Sequence, residues 1–481
     1  MTTVSPTPHP RRGTRLLSAL LVAFGLLAAA CSSGDDTTDQ NADGTSSDAS
    51  STDEPDNTGT GDDPEAGAED GDPPAGGDAQ LDTTDENAPF ELGRGVTTDT
   101  ITIGYLYLDL DEVRERGFID LNWGPQADHM QAIVDHINAN GGINGRSIEV
   151  IARAIDPLDA ASAQAACLEL TEDTEVFAVL GTLRRDEVLC YTEQHDTIAI
   201  ANADMTQERL DRSTAPYVSV SATRERATRA FVARAADEGL FDGKTIAVLS
   251  VDAASAATDV AIPVLQDAGI DVELEVLIQG DGSVGGAAAE LGTQVESMRA
   301  RGIDAVMVVG DAQIPVNTFI GAGYSPTLFF TDPGAARTTA GRADMSVFPA
   351  AYIFGGPTAG SPEAFEETLF QAGCVAPWNA ANPDLLAIIP SAVPDGEPAH
   401  GVGLSTACRA LTIFRSIAEA AGENLNNDTF GAALETVGEV PLPGTGTGTL
   451  GDGKYDALDD LRLFTLNPNA EEDGQDFIEF G

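Results

Sequence analysis

The sequence predicts an α/β fold made of two doubly wound lobes, in which helices cover both faces of parallel sheets. Two observations predict it. From Ile101 onward, short apolar runs alternate with stretches of helical periodicity, the pattern of strands joined through crossover helices. The alternation then restarts after a helix near residues 227–238, so the pattern occurs twice in tandem.

Taken in order, residues 101–108 are the first strand. Met130, Ile133, Val134 and Ile137 fall at i, i+3, i+4 and i+7, one face of a helix, and Asn140-Gly141-Gly142 stops it. A strand at 147–152, a helix at 160–173 and strands at 176–180 and 198–201 complete the first unit. The second unit runs through a strand at 245–251, a helix at 257–268, a strand at 272–278 and a helix at 287–301. Strands at 305–309 and 328–331 continue it. Helices at 404–421 and 428–437, with strands near 447–450 and 461–466, finish the chain.

The N-terminal end reads differently. Arg11, Arg12 and Arg15 precede an apolar run from Leu16 to Leu27, with small residues after it. That run of about 12 residues suits the core of a signal peptide and is too short to span a bilayer, which needs roughly 20. Leu26-Leu27-Ala28-Ala29-Ala30-Cys31 resembles the bacterial lipobox, with Ala28 where Leu is usual. Residues 1–30 are therefore expected to be a cleaved signal peptide and Cys31 the lipidated residue, anchoring the chain to the outer face of the cytoplasmic membrane. Residues 32–92 hold 19 Asp or Glu and no Lys or Arg. Such a segment lacks the apolar surface to offset ordering entropy, so 31–95 is expected to be a disordered tether with a span of roughly 40–50 Å.

The rest of the chain is also acidic, with 59 Asp or Glu against 22 Lys or Arg. A polyanion would be repelled, which excludes nucleic acid as an expected partner, along with electrostatic attachment to anionic lipid. Solubility, at high salt among other conditions, is the simplest use of that charge. With Cys31 lipidated, Cys167, Cys190, Cys374 and Cys408 remain, an even set that permits two disulfides outside the cytoplasm. Of three pairings, Cys167 with Cys190 and Cys374 with Cys408 are preferred, because each pair falls in one neighbourhood of the predicted fold. Closing a 23-residue loop contributes about 3 kcal/mol on the chain-entropy model. No C-x-x-C occurs, and only His195 lies near a cysteine at ligand spacing, so no metal is expected.

The stretch Ile137-Asn138-Ala139-Asn140-Gly141-Gly142-Ile143-Asn144-Gly145-Arg146 resembles a helix ending of the type I periplasmic binding proteins, in particular the leucine/isoleucine/valine-binding group of ABC transport systems. Gly141 and Gly142 allow the positive φ that ends the helix, and Ile143 packs under the turn. Ile101-Thr102-Ile103-Gly104, Phe177-Ala178-Val179-Leu180-Gly181, Phe329-Phe330-Thr331-Asp332 and Gly446-Thr447-Gly448 extend the likeness over about residues 96–470. The resemblance implies two α/β lobes joined by a three-strand hinge that close on a small solute and hand it to a membrane permease. It places 96–221 with 351–436 in the first lobe and 222–350 with 437–481 in the second. It also implies a monomer, no cofactor, and a disulfide where Cys167 and Cys190 stand.

In such folds ligands bind beyond the carboxyl ends of the strands. The candidate ligand-binding residues are Trp123, Thr182, Arg184, Arg185, Asn202, Asp204 and Thr206 from the first lobe, with Asp252, Asp311 and Asp332 from the second. Arg184 and Arg185 are suited to clamp a carboxylate, or else to start a helix in solvent. Asp311 and Asp332 suit a cationic group or hydroxyls, or else cap loops. Trp123 covers a ligand, or packs on the loop 109–121. The hydroxyl residues usual after Gly181 are replaced by Thr182-Leu183-Arg184-Arg185, and the Tyr-Gly usual after the first strand of the second lobe by Ala253-Ala254-Ser255. These departures separate the chain from an aliphatic amino-acid binder.

No catalytic motif is complete. Gly448 to Lys454 has phosphate-loop spacing, but Tyr455 replaces the required Ser or Thr, and Ala407 breaks a nucleophile elbow at Ser405. His129, His136, His195 and His400 show no paired ligand spacing. The expectation is a lipid-anchored solute-binding protein, not an enzyme, that delivers a small polar solute such as an amino acid or small carboxylate to an ABC importer. A sensor domain signalling through a membrane partner is the alternative.

Overall fold

The computed structural model describes residues 91–481, apart from 116–120, 158, 185, 203–204, 252–255, 280–283, 358–360, 395 and 471–475. The expected signal peptide, Cys31 and nearly all of the acidic tether lie outside the described residues, as do Arg185, Asp204 and Asp252.

Five parallel strands form the first sheet: β1 (Thr100–Leu108), β2 (Ser147–Ile155), β3 (Ala178–Gly181), β4 (Ile198–Ala201) and β5 (Tyr217–Ser219), in the order β2-β1-β3-β4-β5. The second sheet repeats that order with β6 (Ile246–Val251), β7 (Val272–Ile278), β8 (Ala305–Gly310), β9 (Thr327–Phe330) and β10 (Ala351–Gly355), arranged β7-β6-β8-β9-β10. Two antiparallel strands, β13 (Arg462–Leu466) and β14 (Phe477–Glu479), extend it beyond β10. The remaining pair, β11 (Gly438–Leu442) and β12 (Gly446–Leu450), is a separate hairpin. Every residue of β3, β4 and β6 is buried, as strands covered on both faces must be. This is the expected doubly wound fold in two lobes, and each strand order reverses beside its first strand, where a ligand crevice opens.

The Asn-Gly-Gly helix ending works as its sequence implies. Asn138, in the last turn of helix Gln126–Ala139, exchanges two hydrogen bonds with the backbone of Ile148, at 2.9 Å and 2.8 Å, fixing the helix to β2. Gly142 has φ +67, and a Cβ there would meet the carbonyl of Arg146 at 1.9 Å, so no other residue fits the turn. Asn144 and Arg146 then bind carbonyls at the far end of helix His400–Ala421, those of Ala418 and Glu423.

Several boundaries differ from the sequence expectations. Helix 160–173 is α-helical only over Ala160–Leu168 and widens into a π-helical turn at Glu169–Asp173. Residues 351–355, assigned above to the first lobe, are β10 of the second sheet, where long-range pairing with β9 and β13 holds them. The hairpin of β11 and β12, assigned to the second lobe, packs Val440, Leu442 and Leu450 into the first-lobe core with Leu411 and Phe414 of helix His400–Ala421. Cys167 is bonded to Cys190 and Cys374 to Cys408, with Cα separations of 6.4 Å and 6.1 Å, the pairing preferred from the sequence.

Three crossings join the lobes: between β5 and helix Arg224–Asp237, after β10, and between β12 and β13. The first and third are stitched together. Ser219 pairs with the third crossing through its N–H to the Tyr455 carbonyl (2.9 Å) and its carbonyl from the Ala457 N–H (2.9 Å).

Candidate functional site

A cavity of about 340 Å³ opens between the lobes beside these crossings. The first crossing supplies Ser221 and Ala222, and the helix that follows supplies Arg224, Ala227 and Thr228. Thr331 to Gly334 and Arg337 enter from the carboxyl end of β9, and Phe354 to Pro357 from that of β10. Arg409 of helix His400–Ala421 and Thr445 of the hairpin close it from the first lobe, with Leu458 and Leu461 on the third crossing. The walls are therefore apolar with a few polar groups, the usual make-up of a small-ligand site.

Its charge is set by three arginines against one aspartate. Asp332 is the N-cap of helix Pro333–Ala340, and its Oδ1 accepts from the Ala335 N–H at 2.9 Å. Arg409 donates through Nε to the Pro443 carbonyl at 2.8 Å, while its Nη2 is buried without a hydrogen-bond partner. Burial pulls this guanidinium down to about 10, partly opposed by Glu367. Gly444, at φ +83, leaves room for it: a Cβ there would lie 3.0 Å from Nη2. The guanidinium of Arg337, one turn into helix Pro333–Ala340, forms no hydrogen bond or ion pair with the described residues. It lies 4.9 Å over the ring of Phe464, and burial alone pulls it to about 10. Thr331 Oγ1 and Thr445 Oγ1 donate to the carbonyls of Val308 and Leu442, and Ser221 Oγ to that of Asn202 at 2.7 Å.

Of the residues nominated from sequence, Asp332 lines this cavity and Asn202 reaches it through Ser221. Thr182 and Arg184 follow β3, and Arg184 forms a helix-start pair with Glu187 at 3.1 Å. Thr206 is buried and caps helix Gln207–Arg212. Asp311 accepts from the Ile314 N–H at 3.0 Å at the start of helix Gln313–Ala322. Trp123 lies elsewhere, on a smaller hollow that it lines together with Tyr107 and the loop residues Asp109 to Asp111. Arg337 and Arg409 were missed. The available signal was one arginine as the lone charge in the helical run Leu404 to Leu411, in a chain with only 25 Lys and Arg. Among the described residues one cluster has metal-ligand spacing, Cys167, Cys190 and His195, but its two sulfurs are bonded to each other.

The comparisons with known proteins agree with this architecture. A family model described as periplasmic binding protein matches residues 117–471. No curated protein sequence matches the chain. Among solved structures, an ABC transporter substrate-binding protein from Desulfitobacterium hafniense in complex with Leu is 14% identical, covering 79% of this chain and 100% of its own, with a TM-score of 0.53. A fatty acid ABC transporter substrate-binding protein from Thermomonospora curvata is 15% identical over 81% of this chain and 93% of its own, at 0.55. A solute-binding protein of an ABC transporter from Rhodopseudomonas palustris BisB5, in complex with 3,4-dihydroxy benzoic acid, is 16% identical over 80% of this chain and 97% of its own, also at 0.55. With the family model spanning most of its length and both lobes wound as described, the chain belongs to the type I periplasmic binding proteins.

Proposed function

We propose that this chain is the lipid-anchored solute-binding subunit of an ABC importer and captures a small carboxylate between its lobes. The observation that carries the reading is the pair of guanidinium groups, Arg337 from the second lobe and Arg409 from the first, on one cavity of an otherwise strongly acidic protein. A carboxylate supplies the acceptors these groups lack, and charge-assisted hydrogen bonds to arginine are among the strongest available. The named ligands of the solved relatives support the choice, since leucine, fatty acids and 3,4-dihydroxy benzoic acid all carry a carboxyl group.

Capture works through closure. A ligand touching both lobes binds the closed form better than the open one and shifts the population toward it. The three crossings absorb that motion, and Cys31, when lipidated, keeps the lobes near a permease. No helix among the described residues is long and apolar enough to cross a membrane.

A thermal-shift screen of the purified mature chain against amino acids, monocarboxylates, dicarboxylates, amides and polyamines tests the reading. Carboxylates are expected to raise the melting temperature by mass action, and scattering should show a smaller radius of gyration in their presence. Stabilisation by amides or polyamines alone would refute the carboxylate assignment. For the anchor, Cys31→Ser should move the protein from the membrane to the soluble fraction; unchanged fractionation would refute lipidation.

A further inference from the structure

We infer that the ligand is a dianion, a small dicarboxylate or its chemical equivalent, with one anionic group on Arg337 and the other on Arg409. This rests on the carboxylate reading above and goes beyond it by counting charges. The cavity carries three arginines and one aspartate, and two of those arginines, Arg337 and Arg409, have no carboxylate within ion-pair distance among the described residues, inside a chain of formal net charge −53. A monocarboxylate would neutralise one and leave the other buried, which is costly in a site removed from water.

The two guanidiniums are also unfinished, unlike several arginines elsewhere in the fold. Arg226, Arg153 and Arg462 sit against carboxylates. Arg337 has an aromatic ring beneath it and no acidic partner among the described residues. Arg409 has a carbonyl for Nε and nothing for Nη2. Each has thus been positioned by the fold with no carboxylate in ion-pair contact among the described residues, Glu367 acting on Arg409 only from beyond that distance. They stand on different lobes, so a ligand that satisfies both must bridge the cleft. Bridging is the property that makes ligand binding favour closure, because neither lobe alone offers both sites. The same cavity is also lined by Phe354, Leu458 and Leu461, apolar surface that suits a short hydrocarbon or aromatic spacer. A cavity of about 340 Å³ is at the small end of the range for ligand pockets and fits a spacer of a few carbons or one ring.

Calorimetric titration of the intact mature chain with matched pairs, glutarate against valerate and isophthalate against benzoate, tests this. The better dicarboxylate is expected to bind at least roughly tenfold tighter than its monocarboxylate partner, the equivalent of one added charge-assisted contact. Arg337→Gln and Arg409→Gln should each lower dicarboxylate affinity by roughly tenfold or more and erase most of that preference, whereas Arg409→Lys should keep part of it. Monocarboxylates bound as tightly as their dicarboxylate partners would overturn the dianion while leaving the carboxylate reading intact. Failure of all four acids would overturn both. The comparison of ligands on the unmodified protein does not depend on whether the variants fold.

Discussion

The carboxylate of Asp456, on the third crossing, accepts a hydrogen bond from Arg226 Nε at 2.8 Å and a second from the Thr223 N–H at 2.6 Å. Arg226 stands in the first turn of helix Arg224–Asp237, the first of the second lobe, and it also reaches the Leu458 carbonyl and Asp459. One buried acid thereby ties two of the three crossings together. Asp456→Ala removes the acceptor and leaves a partly covered guanidinium and an N–H unsatisfied. We expect a loss of about 2–3 kcal/mol, reduced from the fully buried case because Arg226 retains some contact with water. Urea denaturation checks it; a change below about 0.5 kcal/mol would show that the pair does not hold the hinge.

Much of this architecture was legible before the structure, and the reason lies in local signals. Strands Ile198–Ala201 and Val272–Ile278 coincide with their sequence expectations, the first as an apolar run between polar neighbours and the second because Glu273 and Glu275 alternate with apolar residues. Helix Gln313–Ala322 was missed: Pro315 in its first turn and Gly321 near its end weaken the periodic signal, although proline is tolerated at a helix start. Lobe assignment of 351–355 and of the hairpin depended on pairing and packing between residues distant in sequence, which periodicity does not carry.

The cavity was less legible for the same reason. Asp332 could be nominated because it follows a strand directly. Arg337 and Arg409 meet at one cavity only through the path of three crossings, so no spacing within the sequence announces them.

The disulfide between Cys167 and Cys190 closes a 23-residue loop, and both sulfurs lie in residues at most 5% exposed. It joins the end of helix Ala160–Leu168 to the turn after β3, holding the segment that carries Arg184. Replacing both cysteines with alanine should cost about 3 kcal/mol through the released denatured chain. Differential calorimetry of the double variant tests this. The native bond should resist mild reductant until the fold opens; labelling of both thiols in folded protein under such conditions would contradict the burial.

His129 Nε2 and His400 Nδ1 lie 3.0 Å apart in the first-lobe interior, with the ring of Trp378 4.5 Å from that of His129. A single proton between the two nitrogens satisfies the contact, so the accepting ring must be neutral when the hydrogen bond forms. Burial first, and then the neighbouring His400, lowers His129 from 6.5 to about 3; burial also lowers His400. The folded-state pKa of His129 is therefore below its unfolded value, and acid protonates the unfolded chain first. The contribution is complete above pH 6.5 and is lost as pH falls from there toward 3, at up to about 1.4 kcal/mol per pH unit for this one group. Carboxylates titrate across the lower part of that window, so the informative quantity is a difference between proteins. His129→Gln should be less stable at pH 7.5, yet its stability should fall less steeply between pH 6.5 and 5 than that of the parent. Denaturant midpoints measured across that interval decide it, and parallel slopes in the two proteins would show that the histidine pair does not set the acid sensitivity of this lobe.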